Sequence, residues 1–527
     1  MDLIFDKVSF QPSDEITGIA PKSGFIEIFH LGVLISKFDT EGKFNLGRFP
    51  VGGYSIAWND DSGQRITSAF EVLVDPWTRL RYGFVAEFTD EVNTDNYLTW
   101  AKKLHLTAIQ FYDWAWRHEI LTTDKLHYGD PLGNIISTNK IRELISGYQK
   151  MGATPCGYVA VYAVDAEGWK RWEHAGLFDS EGLPYQLGEN FLWILDPANS
   201  TWLDHLISQL RLARDFGFPG FHLDQYGWPK SALTSEGTPV DLAGRFPEML
   251  NKIVSEIPEC KYIFNNVNDF PTWSTTQTSQ DATYIEVWEP HTSYDHLANL
   301  VTKARELNPK KPVVISAYLS SFASIGKETR IEEATASFEL AFASICSGGA
   351  AHLITGGDGR ILQDPYYVRN FHASKSVLDT IQNYFDFVVA AGDLLFDPTR
   401  IDVTLIYAFG INNEIKFSSN VPLSPEAAPG YLWIRIYKGK TGLSIHVINL
   451  TDQKDALWDG PKSIISKEAK IAISIDAAGF SDRVSIGSGS CGAAFESRTM
   501  EKSGNRLKIE VEVRGAWTIV NIPLISG

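Results

Sequence analysis

The chain has 527 residues, with 47 Lys and Arg against 64 Asp and Glu, a formal net charge of −17, and 44% apolar and 21% charged residues. That is a globular composition with enough apolar residues for a sizeable core, and at about 150 residues per domain the length predicts roughly three domains. The acidic balance, unopposed by any Lys/Arg-rich stripe, argues against a nucleic-acid partner, and the absence of a run near 18 apolar residues argues against a membrane span.

The opening MDLIFDKVSF has neither a basic n-region nor an apolar h-region. The chain as given therefore reads as intracellular, or as exported with its signal already removed. Residues 1–80 read as short alternating strands, LIFDKVSF, GFIEIF, GVLISKF, GYSIAW and FEVLV, broken by Gly, Asp and Pro turns. This pattern predicts an N-terminal β-sandwich. From 81 to 395 the apolar runs RYGFVAEF, TAIQFYDW, PCGYVAVYA, GFHLDQYG, KYIFNNV, TYIEVW, KPVVISAY and AHLITGG alternate with amphipathic stretches such as KIRELISGYQ and WLDHLISQLRLARDF. Eight strands alternating with helices predict an α/β fold, a (β/α)8 TIM barrel. Residues 396–527 return to strand periodicity in VTLIYA, LWIRIYKG, LSIHVINL, KIAISID, RLKIEVEV and WTIVNIPL, which predicts a C-terminal β-sandwich. Cys156, Cys260, Cys346 and Cys491 are far apart, without CxxC spacing, and read as ordinary thiols rather than a zinc site or disulfide framework.

In such a barrel the active site forms at the C-terminal ends of the strands, so polar residues closing apolar strands come first. In GFHLDQYG, period-two alternation turns Phe221 and Leu223 toward the helices and His222 and Asp224 toward the axis. In TYIEVWEP the same rule turns Ile285 and Val287 outward and Tyr284, Glu286 and Trp288 inward, leaving Glu289 beyond the strand and on the other parity. Asp224 and Glu286 thus fall on strands four and six around one mouth. Paired carboxylates among aromatics suit glycoside hydrolysis, one attacking or stabilising the anomeric carbon while the other protonates the leaving oxygen. The alternative is that both are mouth acids paired with Arg or Lys. Tyr112, Trp114, Trp116, Trp228, Trp273 and Trp288 fall at or beyond strand ends, where flat rings serve sugar stacking as readily as packing.

QFYDWAWRHE (residues 110–119), HLDQYG around Asp224, YIEVW around Glu286 and KPVVISAY (residues 311–318) occur in that order. Together they resemble the blocks of glycoside hydrolase family 66, which contains endodextranases and cycloisomaltooligosaccharide glucanotransferases. The resemblance implies a retaining mechanism on α-1,6-glucan, with Asp224 as nucleophile and Glu286 as acid/base, the two carboxyls roughly 5 to 5.5 Å apart. Glu286 must then start protonated, helped by the charge of Asp224. Tyr112, Asp113, Trp114 and His118 would line the glucose pocket, with Asn266 and Trp288 as further candidates. No cofactor or metal is implied, and the expected partner is an α-1,6-glucan or isomaltooligosaccharide.

Three features depart from the family's pattern. The intervals between strands leave no room for the carbohydrate-binding insertion usual in the cyclising transferases, which favours hydrolysis. HLITGGDGRIL stands where an LGE-like block is expected, so only Asp358 is a counterpart to its acid. The family is typically secreted and acts on polymer, so a chain without a signal would suit imported linear or cyclic isomaltooligosaccharides. Two readings from other classes compete. One is a metal-dependent hydrolase using His222 and Asp224 with His118, His291, His296 or His352, although no HxH or HExxH spacing supports it. The other is a non-catalytic glycan-binding protein.

Overall fold

Short runs rich in Val, Ile, Phe and Tyr form parallel strands because a sheet covered on both faces favours β-branched and aromatic side chains. In the computed structural model, which describes residues 3–525, they are β1 (Tyr82–Val85), β2 (Ala108–Phe111), β3 (Thr154–Ala160), β4 (Gly220–Asp224), β5 (Lys261–Val267), β6 (Ala282–Glu286), β7 (Val313–Ser316) and β8 (Ala351–His352). From β2 to β8 each pairs in parallel with the strand before it. The run AHLITGG, expected as one strand, is split. After β8, Leu353 and Ile354 lie outside any strand, and β9 (Thr355–Gly356) pairs in parallel with β1. One segment, 351–356, therefore touches both ends of the row and the sheet curls. A hairpin of β10 (Arg360–Ile361) and β11 (Phe371–His372) brings the sheet to eleven strands.

The connections carry helices α1 (Thr94–Lys103), α2 (Thr138–Lys150), α3 (Ser200–Phe216), α4 (Leu242–Glu256), α5 (Tyr294–Leu307) and α6 (Ile331–Cys346), and α7 (Lys375–Ala390) follows the sheet. Asn93, Ser137, Asn199, Asp241 and Ser293 each accept a first-turn N–H, which starts α1 to α5. Helix α3 stops where Gly217 takes φ 138°, a conformation open to glycine. Among the described residues no helix is long and apolar enough to cross a membrane. Cys156, Cys260 and Cys346 are buried and Cys491 is partly exposed, all free.

The N-terminal strands form one five-stranded sheet rather than the expected sandwich. Its long strands Thr17–His30 and Val33–Asn45 shift register near Ile19 and Ile28 and close over a core of Phe5, Phe44, Tyr54, Trp58 and Phe70. LIFDKVSF contributes only the strand Ile4–Phe5. The sheet rests on α7, where buried Asp386 accepts from Ser68 Oγ (3.0 Å) and Ala69 N (3.2 Å) and meets His105 Nε2 at 2.7 Å. At the C-terminal end a seven-stranded and a four-stranded sheet share a core that includes Ile434, Ile436, Val447, Ile471, Ile473 and Val511. VTLIYA is not a strand there: its middle forms the short helix Thr404–Tyr407, and just ahead of it Asp402 accepts from Thr404 N and Oγ1. This region also braces the segment beyond β6, with Trp458 Nε1 donating to His291 O at 2.6 Å.

Candidate active site

Strands β4 and β6 are buried along their length and emerge at their last residues, Asp224 and Glu286. Period-two geometry points both inward, and neighbouring strands supply their partners. Tyr158 from β3 donates to Asp224 Oδ2 (2.6 Å), and Tyr318, just past β7, donates to Glu286 Oε1 (2.8 Å). Asn265 from β5 lies between them, its Nδ2 donating to Asp224 Oδ1 (2.7 Å) and to Glu286 Oε2 (2.8 Å). The near oxygens of the two acids are therefore no farther apart than those two bonds laid end to end, 5.5 Å. The hydrogen-bond partners are neutral donors, not the Arg or Lys of the structural alternative.

Burial raises both carboxyls above their ordinary ranges, and the charge of Glu286 raises Asp224 further. Repulsion is mutual, so the two lose their protons as a coupled pair. Asp113 is raised to about 7 by burial and by the charges of Asp130 and Asp224. A third acid beside the pair thus resists ionisation.

The acids open into a cavity of about 310 Å³. Its walls are tyrosines: Tyr112, Tyr158, Tyr226, Tyr284, Tyr318 and Tyr367, with Tyr112 stacked on Tyr367 at 4.3 Å between centroids. Leu132, Phe191, Trp288 and Tyr366 come from the loops around the opening. Below Asp224, buried His222 bonds Tyr82 OH through Nδ1 (3.1 Å), and burial lowers its pKa to about 3, so it is neutral. Three buried lining atoms, Gln110 Oε1, His118 Nδ1 and Asn265 Oδ1, have no hydrogen-bond partner. Such atoms suit a ligand rich in hydroxyls, which donates and accepts at each position. Among the described residues no cluster of three or more His, Cys, Asp or Glu is placed to hold a metal.

Of the residues expected from sequence, Tyr112, Asp113, His118 and Trp288 line the cavity with the two acids. Burial lowers His118 to about 4, which keeps its ring neutral. Trp114, Asn266 and Asp358 do not line it. Asp113 takes φ 49°, which ends the strand alternation and turns Trp114 into the outer layer against Phe216 and Phe218. Asn266 points toward the helices, donating to Tyr284 O (2.8 Å) and accepting from Thr275 Oγ1. Asp358 sits on the β9–β10 turn and pairs with Arg360 Nε at 3.1 Å. Trp116, Trp228 and Trp273 also stand outside the cavity, and Glu289 is exposed beyond β6.

Sequence reasoning passed over Asn265, Tyr158 and Tyr318 as site residues. A signal for Asn265 existed in KYIFNNV, because bulky Tyr262 and Phe264 claim the outward positions and leave Asn265 inward.

The chain matches the model of glycosyl hydrolase family 66 over residues 44–503. Two curated relatives from Niallia circulans, both named cycloisomaltooligosaccharide glucanotransferase, are 25% identical to it over 314 and 389 residues. These matches cover 54% and 63% of this chain but 32% and 39% of the relatives, so the chain spans a third to two-fifths of their length. A solved cycloisomaltooligosaccharide glucanotransferase from Paenibacillus sp., complexed with cycloisomaltoheptaose, aligns over 99% of both chains with a TM-score of 0.86 and 17% identity. A maltogenic α-amylase from Thermotoga neapolitana aligns over 86% of this chain and 100% of its own with a TM-score of 0.54 and 10% identity. At these identities the structural likenesses bear on fold alone.

Proposed function

The chain belongs to glycosyl hydrolase family 66, and from that membership we propose that it is a retaining glycosidase cleaving α-1,6-glucosidic linkages of dextran or isomaltooligosaccharides. The observation that carries the reading is the pair itself. Asp224 and Glu286 close the inward positions of β4 and β6, on either side of Asn265 from β5, with their near oxygens at most 5.5 Å apart. Retaining pairs bring their carboxyl groups to roughly 5 to 5.5 Å and inverting pairs hold them about 6.5 Å or more apart, so a single amide nitrogen reaching both acids favours the retaining arrangement.

In this mechanism an oxygen of ionised Asp224 bonds to the anomeric carbon as the glycosidic C–O bond breaks, and the leaving oxygen takes the proton of Glu286. The ester removes the charge of Asp224, which lets ionised Glu286 act as base. Glu286 then takes a proton from water, the water oxygen bonds to the anomeric carbon, and Asp224 leaves as carboxylate. Tyr158 and Asn265 are placed to stabilise that departing charge. Tyr112, Asp113 and His118 would hold the glucose unit at the scissile bond. Trp288 and Tyr366, 41% and 42% exposed at the rim, offer faces to neighbouring units.

We assign the chemistry to a catalytic (β/α)8 barrel over 81–395, with the curled sheet closed through segment 351–356, and supporting roles to β-domains over 1–80 and 396–527. A second reading, formation or opening of cyclic isomaltooligosaccharides, is favoured by the names of the relatives. A time course of products from dextran separates the two. A spread of linear intermediates with rising reducing ends supports endo-hydrolysis, and cyclic products without new reducing ends support transfer. No turnover of dextran, linear isomaltooligosaccharides or cyclic ones would overturn both.

A further inference from the structure

Asn265 is 3% exposed, and its side chain meets both acids through one atom. An amide nitrogen carries two hydrogens. One goes to Asp224 and the other to Glu286, so both are committed. The opposite amide orientation would aim a carbonyl oxygen at two carboxyl groups, which repel it whenever they are ionised. The orientation is therefore fixed by charge. The main chain is fixed as well, because Gln225, the residue after Asp224, donates through Nε2 to Asn265 O and Phe270 O (both 3.0 Å).

We propose that Asn265 is the positioning residue of the pair: its single nitrogen sets the spacing of the two acids and supports whichever of them is charged in each half of the reaction. This rests on the retaining mechanism proposed above. In the first half Asp224 is the anion and its bond to Asn265 is charge-assisted. Once Asp224 is esterified, Glu286 is the anion and the second hydrogen takes over that role. One donor thus serves two groups whose charges alternate, with no movement of backbone.

Other groups facing the pair are Tyr112, Asp113 and neutral His118 from the segment after β2, Tyr158 from β3, neutral His222 from β4, Tyr226 after it, Tyr284 from β6, Tyr318 after β7, and Tyr367. Apart from Asp113 these carry no charge near neutral pH. The Asn265 bonds themselves favour the ionised form of both acids.

The test is steady-state kinetics of Asn265→Ala and Asn265→Asp against wild type on a nitrophenyl isomaltooligosaccharide across pH. The expected result is a fall in kcat of roughly 10²-fold, as a misplaced reacting group produces, with KM changed by less than threefold. Both limbs of the kcat/KM profile should move to higher pH, because each anion has lost a donor. A rise in KM alone, a kcat within threefold of wild type, or a loss of kcat with unmoved limbs would each overturn the proposal. If neither variant folds, a crystal structure of the unaltered chain decides: Asn265 Nδ2 beyond 3.5 Å from either acid overturns it, and both bonds within that limit uphold it. An inactive wild type would instead count against the glycosidase reading, which separates the two failures.

Discussion

Acids stand withdrawn from bulk water both at the junction with the N-terminal sheet, where Glu71 is buried and Asp393 half-buried, and at the ends of β4 and β6, but the two places differ in their partners. At the junction Glu71 meets Arg81 in a fully buried ion pair, and Asp393 meets Arg79 (2.5 Å) and His30 (3.0 Å). Burial pushes Asp393 upward, but the bonds from His30, Arg79 and Gly53 N outweigh it and hold the group at about 2. At the strand ends Asp224 and Glu286 meet tyrosine hydroxyls and an amide, and both are held above their usual range. A cationic partner fixes the negative charge and makes the acid a fastener. Neutral donors leave the proton free to move, and the burial of the acids then costs stability that no counter-charge offsets.

The largest expected effect breaks the site and spares the junction. Asp224→Asn and Glu286→Gln should each lower turnover of an unactivated isomaltooligosaccharide by roughly 10³-fold or more, with unchanged or higher melting temperature. Near-wild-type rates in either variant would remove that residue from its role. The converse change, Glu71→Gln, leaves Arg81 buried without its counter-charge and should cost about 3 kcal/mol. Denaturant midpoints would register the loss, while kcat per folded molecule stays near wild type.

Stability against pH sharpens the contrast further. The lowered Asp393 contributes stability that is present above its unfolded pKa, near 4, and is lost as the pH falls through about 2. The raised Asp224 works in the other direction: its contribution is full below the unfolded pKa and is lost as pH rises through its higher folded value. Asp393→Asn should therefore lower the melting temperature at pH 7 and cease to matter near pH 2, whereas Asp224→Asn should raise it most at neutral pH. Parallel curves for the two variants would erase the distinction. The smallest effect belongs to Glu289→Gln. Exposed and outside the cavity, it should change kcat/KM by only a few-fold, within the roughly 0.5 kcal/mol typical of surface changes. A larger loss than in Glu286→Gln would refute the inward–outward assignment on β6.

Legibility in the sequence followed the reach of each signal. Seven of the parallel strands, β1 to β7, coincide with their apolar runs, the eighth run AHLITGG is divided between β8 and β9, and both acids stand where alternation within a single strand puts them. Asn266 is expected at the pocket from the family resemblance, but alternation with outward Tyr262 and Phe264 turns it toward the helices and Asn265 inward, on a strand whose residues from Tyr262 to Asn266 are all buried. Trp114 was misplaced because alternation ends at the left-handed Asp113, and Asp358 because TGGDGR turns into a hairpin instead of continuing the strand. VTLIYA reads as a strand by composition, but Asp402 accepting from Thr404 N and Oγ1 forms a local turn ahead of a short helix, which β-propensity does not register.

By itself the sequence determined the order of strands β1 to β7 with the helices between them, and the two carboxyls that stand inward at the ends of β4 and β6. These follow from covalent geometry, since successive side chains along a strand must alternate. Only the tertiary structure decided that Tyr158, Asn265 and Tyr318, from three other strands or strand ends, would bond to those carboxyls. Those contacts depend on register and on the curl of the sheet, which join residues up to 66 positions apart in the chain. No local period carries that information, because it is set by how whole strands and helices pack around one core.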